Sequence, residues 1–211
     1  MNKLLKQLLP IIGILVLIPV VMAIFSVNTI PAKEERAKAA WADVQSQYQR
    51  RADLIPNLVA TVSGYAQQEK DVLVAVTQAR ASATQIKVDL STLTDPAAFE
   101  KYRAAQDQLS GVLGRLLAIS ENYPDLKSNQ NFLTLQSQLE GTENRIGVAR
   151  RDFNEAVRVY NTELRTFPGV IWAATIYGSS KPMQLFEAAT TAQEAPKVEF
   201  PSTAPPSDKT P

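Results

Sequence analysis

Arg51 and Glu69 stand where hydrocarbon side chains belong, and Tyr123, Asp125 and Lys127 crowd one short connection. These five residues are the candidates for recognition. Positions 41, 48, 55, 62, 69 and 76 form one row of a helical stripe and 44, 51, 58, 65, 72 and 79 its companion, apolar except at Glu69 and Arg51. A charge on such a stripe needs a partner on another helix, because an unpaired charge out of water is costly. Arg51 and Glu69 are 18 residues apart, about 27 Å along a helix, too far to pair with each other. Glu140, Glu143, Asn144 and Arg145 are available across an interface. Two readings stay open: a buried pair or half-exposed edge that fixes helix register, or a polar surface that contacts a partner. Tyr123, Asp125 and Lys127 lie with Pro124 in the connection from Glu121 to Asn129. A plain turn accounts for it, with Pro124 setting the bend and Ser128 capping the next helix. An exposed docking loop accounts for it as well.

Little else offers chemistry. Glu140 and Glu143 occupy adjacent helical turns, but two carboxylates on one helix face are ordinarily solvated charge rather than a hard-cation site. The 211 residues include no His and no Cys. That removes the Ser-His-Asp triad, the Cys nucleophile, His-ligated zinc, iron–sulfur clusters and the Glu-x-x-His pair of di-iron proteins. A hydrolase using Lys or carboxylates is the enzymatic class left, and no Gly-rich nucleophile turn supports it. No catalytic residue, cofactor or metal is expected. Lys plus Arg number 22 and Asp plus Glu 21; without Lys3 and Lys6 the balance is 20 to 21, which leaves no basic footprint for nucleic acid.

The elements that position these residues are helical, given 8 Gly and abundant Ala, Leu, Gln, Val, Glu and Arg. Residues 1–7 are a short basic N-terminus, and 8–30 read as a transmembrane helix. From Leu8 to Phe25 the run is unbroken, 18 nonpolar residues that rise about 27 Å against a hydrocarbon thickness of roughly 30 Å. Pro10 and Pro19 kink such a helix, which a membrane tolerates. A cleaved signal peptide ending at Val21-Met22-Ala23 is the alternative; the run continues through Ile24 and Phe25, longer than a usual signal core. Lys3 and Lys6 face Lys33, Arg36 and Lys38 across the span, so positive charge sets orientation weakly. The expectation is an inner-membrane protein with its larger part outside the cytoplasm.

Residues 31–180 read as a long antiparallel helical body. Pro56 predicts a kink, or a break near 53–56. Asp95-Pro96 reads as an N-cap and first helical residue opening a helix to about Ser120, with Phe99, Tyr102, Leu109, Leu113 and Leu116 on one side. Gly111 and Gly114 there suggest close approach of a neighbour. A third helix from near Ser128 spans about 38 residues, roughly 57 Å, with Phe132, Leu139, Ile146, Phe153, Tyr160 and Phe167 as its stripe. Pro168 ends it, and Val170 to Tyr177 adds a turn or two. Residues 181–211 hold six prolines and read as a largely disordered tail with little but Phe186 to pack.

Specific stretches carry a family resemblance. Glu121-Asn122-Tyr123-Pro124-Asp125-Leu126-Lys127-Ser128-Asn129 leads to Leu139-Glu140-Gly141-Thr142-Glu143-Asn144-Arg145-Ile146, then to Arg150-Arg151-Asp152-Phe153-Asn154, Val159-Tyr160-Asn161 and Phe167-Pro168. Upstream stand Arg50-Arg51-Ala52-Asp53-Leu54-Ile55-Pro56-Asn57-Leu58-Val59 and Gly64-Tyr65-Ala66. Together these resemble the LemA family of bacterial membrane-associated proteins over roughly Met1 to Phe186, with Phe153 standing where members typically carry Tyr. The resemblance implies an all-α fold, an N-terminal membrane helix followed by an up-and-down four-helix bundle. It implies no catalytic residues and no settled activity. The expected function is a membrane-anchored scaffold or adaptor for other envelope proteins. Its partners are the bilayer through residues 8–30 and one or more proteins; self-assembly into an oligomer is the alternative.

Overall fold

The computed structural model describes residues 3–187; most of the expected tail, residues 188–211, lies outside the described residues. Every regular element among the described residues is helical. In chain order these are α1 (Lys3–Ser26), α2 (Thr29–Tyr65), α3 (Lys70–Gln85), α4 (Leu90–Thr94), α5 (Pro96–Ile119), a 3₁₀ turn (Ser120–Asn122), α6 (Pro124–Lys127), α7 (Gln130–Glu163) and α8 (Gly169–Thr175). Helix α1 is long and apolar enough to cross a membrane, by length and composition. Its described side chains between Leu15 and Phe25 are largely exposed. It passes into α2 through Val27 and Asn28, bridged by Val27 N–H to the Ala23 carbonyl (2.9 Å) and Ala32 N–H to the Asn28 carbonyl (3.2 Å).

Helix α2 does not break at Pro56. It runs for 37 residues and turns at Ala66–Glu69 instead. The reason lies across the interface. Proline has no N–H for the carbonyl four residues back, here Ala52, and Arg80 Nε on α3 donates to that carbonyl at 2.7 Å. A nonlocal donor thus replaces the missing helical bond.

The long helices pair antiparallel, as the cross-contacts show. Along α2 and α7, Thr29 meets Glu163 at one end, Arg51 meets Glu143 midway, and Tyr65 meets Asn129 at the other. Between α3 and α5, Gln106 reaches the Ala83 carbonyl while Glu69 meets Tyr123. Asp95 caps α5, its Oδ1 accepting from Ala97 N–H (2.8 Å) and Ala98 N–H (3.2 Å). The cap of α7 is Asn129 rather than Ser128: Asn129 Oδ1 accepts from Phe132 N–H at 3.0 Å, and Ser128 Oγ turns back to the Asp125 carbonyl. Helix α7 has 34 residues, and its buried stripe ends at Tyr160. Phe167 lies beyond it and is 69% exposed.

The core divides in two. Nearer α1, Trp41, Tyr48, Phe99, Tyr102, Phe153, Tyr160 and Phe186 make an aromatic cluster. Farther away, Ile55, Leu58, Val76, Leu109, Leu116 and Leu139 make a mainly aliphatic one. Residues 181–187, expected to begin the tail, are an extended strap in the seam between α5 and α7, burying Met183 and Phe186. Asn161 pairs with both backbone groups of Met183 (2.8 and 2.9 Å), and Asn154 does the same for Phe186 (2.8 and 2.9 Å). Gln184 N–H donates to the Leu93 carbonyl at 2.8 Å. Gly111 and Gly114 do not mark a close helix contact, since a Cβ at either would meet nothing within 4 Å. Gly114 faces the stretch of the seam that the strap leaves open.

Candidate functional site

Arg51 is wholly buried at the boundary between the two cores. Its Nη1 donates to Ser110 Oγ (2.6 Å) and Glu143 Oε1 (2.8 Å), and its Nη2 to Gln106 Oε1 (2.6 Å). Gln106 Nε2 in turn donates to the Ala83 carbonyl at 3.2 Å. One guanidinium therefore ties α2 to α5 and α7 directly and to α3 through Gln106. The arrangement offsets the desolvation of the charge with three polar partners, and sliding any helix by a turn would unmake it. Its burial keeps Arg51 out of any partner's reach. Glu143, its ionic partner, is 42% exposed at the side chain and carries the layer to the surface.

A second arginine extends this layer toward α1. Arg150 Nε donates to Tyr48 Oη (2.6 Å) and its Nη2 to Asp107 Oδ1 (3.1 Å). Both guanidinium carbons lie over the Tyr48 ring, Arg51 at 5.1 Å and Arg150 at 5.5 Å from its centroid. Burial pushes the Tyr48 and Tyr102 phenols above their ordinary range, against the pull of the two arginines. Neutral, buried phenols of this kind are packing and hydrogen-bonding groups rather than nucleophiles.

The other sequence candidates gather at the end of the body remote from α1. Glu69 belongs to the α2–α3 turn, not to a helical stripe, and its Oε1 accepts from Tyr123 Oη at 3.2 Å. Partial desolvation and that carboxylate both raise the Tyr123 pKa. Asp125 and Lys127 are exposed, and Lys127 pairs with Glu121. Two of the five candidates thus meet each other, two face solvent and one is interior. Between the Arg51 layer and this end, the α5–α7 seam opens into a groove of about 450 Å³. Leu113, Leu117 and Leu139 provide its apolar lining, while Ser110, Glu143 and Asn144 are polar.

The chain matches the LemA family over residues 40–200, most of its length. It belongs to that family. Curated relatives include Magnetosome protein MamQ 2 of Paramagnetospirillum magneticum, 26% identical, with 67% of this chain and 58% of the relative covered. Magnetosome protein MamQ of Magnetospirillum gryphiswaldense is 25% identical with the same coverage. Protein LemA of Metamycoplasma hominis is 24% identical, covering 66% of this chain and 60% of its own length. The chain therefore spans about three-fifths of the length of these relatives.

Within this LemA-family chain, the described residues contain no group of three or more acidic side chains suited to a metal. Several residues that shape the site escaped the sequence reading. Gln106 carried a signal: it occupies the stripe of Phe99, Tyr102, Leu109 and Leu113 at alternating spacings of three and four. Asn154 and Asn161 stand seven apart beside Phe153 and Tyr160, so both fall on one helix face. Arg80 and Ser110 resemble ordinary surface residues, and only the fold reveals their roles.

Proposed function

We propose that this protein is a single-pass, membrane-anchored scaffold or adaptor of the bacterial cell envelope with no catalytic activity of its own. Helix α1 is the anchor, and α2, α3, α5 and α7 form one up-and-down four-helix bundle outside the cytoplasm. The partner surface is the open part of the α5–α7 seam, continued by Asp125 and Lys127 at the remote end. The observation that carries this reading is the occupied part of the same seam. There, Asn154 and Asn161 hold an extended peptide by its backbone while Met183 and Phe186 enter the core. A seam that accepts one extended segment along one stretch presents a groove with an apolar lining along the next.

Crosslinked affinity capture of the full-length protein from native membranes tests this. The expected result is one other protein recovered near stoichiometrically by the wild type and lost by Gly114→Leu at a melting temperature no lower than that of the wild type. Tyr123→Ala with Asp125→Ala should weaken the same capture if the remote end takes part. Recovery of the chain alone, in crosslinked ladders, would transfer the reading to a self-assembling oligomer.

A further inference from the structure

Helix α8 is short, yet one side of it is apolar and uncovered. Val170, Ile171 and Ala174 follow helical spacings of three and four and are exposed, as are Phe167 just before the helix and Ile176 just after it. Val170 is 42%, Ile171 45% and Ile176 58% exposed. The opposite side is seated: Trp172, Ala173 and Tyr177 pack on the aromatic core. Gly169 makes this seating possible, because a Cβ there would collide with the Glu163 carbonyl oxygen. The exposed face is thus held in a fixed place by its own buried side.

That place is the end of α1. Trp172 Nε1 donates to Ser26 Oγ at 2.9 Å, directly after the exposed apolar residues Ile24 and Phe25. Arg165 and Lys181, both exposed, flank α8 in the chain. An apolar helical face with basic flanks, held beside the end of a membrane-crossing helix, has the components of a helix lying in a bilayer interface. We propose that α8 is a second membrane contact, with Phe167, Val170, Ile171 and Ile176 entering the headgroup–acyl boundary of the bilayer that α1 crosses. This rests on the reading of α1 as the anchor. Two points of attachment, α1 and α8, then fix how the helical body stands on the membrane.

The chain has no Cys, so single spin labels can be placed at chosen sites in the full-length protein. Ile171→Cys, Leu17→Cys and Gly64→Cys are each labelled and reconstituted in vesicles of phosphatidylethanolamine and phosphatidylglycerol, with melting temperature as the check on folding. Relaxation by oxygen is compared with relaxation by a water-soluble nickel chelate. The expected result is a label at 171 that is accessible to oxygen and shielded from nickel, like that at 17 and unlike that at 64. A label at 171 that meets nickel as freely as at 64, while 17 remains in lipid, overturns the proposal and spares the anchor. Shielding of 171 from both reagents also overturns it, in favour of cover by protein. A nickel-accessible label at 17 overturns both.

Discussion

Both parts of the helical body are built on α2, α5 and α7 and fill the space between them differently, and α3 adds its buried side chains only to the part farther from α1. Nearer α1, rings pack on rings: Trp41 lies 5.2 Å from Phe153 and 6.0 Å from Phe186, centroid to centroid, and Phe99 lies 5.0 Å from Phe186. The strap supplies Phe186, so this core is complete only with a segment far along the chain. Beyond the Arg51 layer the core is mainly Leu, Ile and Val, and no described segment enters the seam between α5 and α7. The contrast teaches that the seam is one feature with two fates. Where large aromatic groups line it, the chain fills it from within; where Gly114 and the leucines beside it line it, a groove stays open.

Removing the strap's main side chain should break this contrast most severely. Phe186→Ala is expected to cost about 3–5 kcal/mol, the usual range for deleting a buried aromatic side chain, measured by denaturant unfolding. The loss should fall on the part near α1, read as faster hydrogen exchange in the first half of α5 while α3 stays protected. Arg51→Ala comes next, at about 2–3 kcal/mol, because it strands the buried Gln106 side chain. Its effect should spread to both parts, since the layer joins them. A smaller change comes with pH. Burial raises Tyr48 and Tyr102, so the native state favours their neutral forms; their contribution is intact below the ordinary phenol range and is lost as pH rises through the folded values. Alkaline titration should loosen the aromatic part first, reported by fluorescence of Trp41, which lies 5.6 Å from Tyr102. Smallest is Gly114→Ala, expected to stabilise by about 0.5–1 kcal/mol, because the added methyl favours helix and meets nothing. A destabilisation there would mean that the groove closes in solution.

Much of the helical body was legible in residue order. The stripes of α2, α5 and α7, the Asp95-Pro96 start and the stop before Pro168 follow from local rules of period and capping. Arg51 announced itself by breaking a stripe, and Glu143 was one of four residues named as its possible partners. What stayed hidden was nonlocal. Pro56 looked like a break because Arg80, which satisfies the Ala52 carbonyl, is 28 residues from Ala52. Residues 181–187 looked like tail because they open a stretch to 211 that holds six prolines, and their burial depends on Asn154 and Asn161. Glu69 looked like a stripe residue because the α2–α3 turn preserves the heptad count across a break in the helix. Gly111 and Gly114 suggested closeness where the fold leaves room, since a glycine permits contact without requiring it.

The most direct test of the central claim is the thiol-labelling rate of Gly114→Cys, in purified full-length protein and in native membranes, with Gly64→Cys as the reference. Both positions leave an added side-chain atom in open space. If the open seam is the surface that holds a partner, position 114 labels as fast as 64 in purified protein and several-fold slower in native membranes. Equal rates at 114 in both preparations would contradict that claim and leave the groove without an occupant.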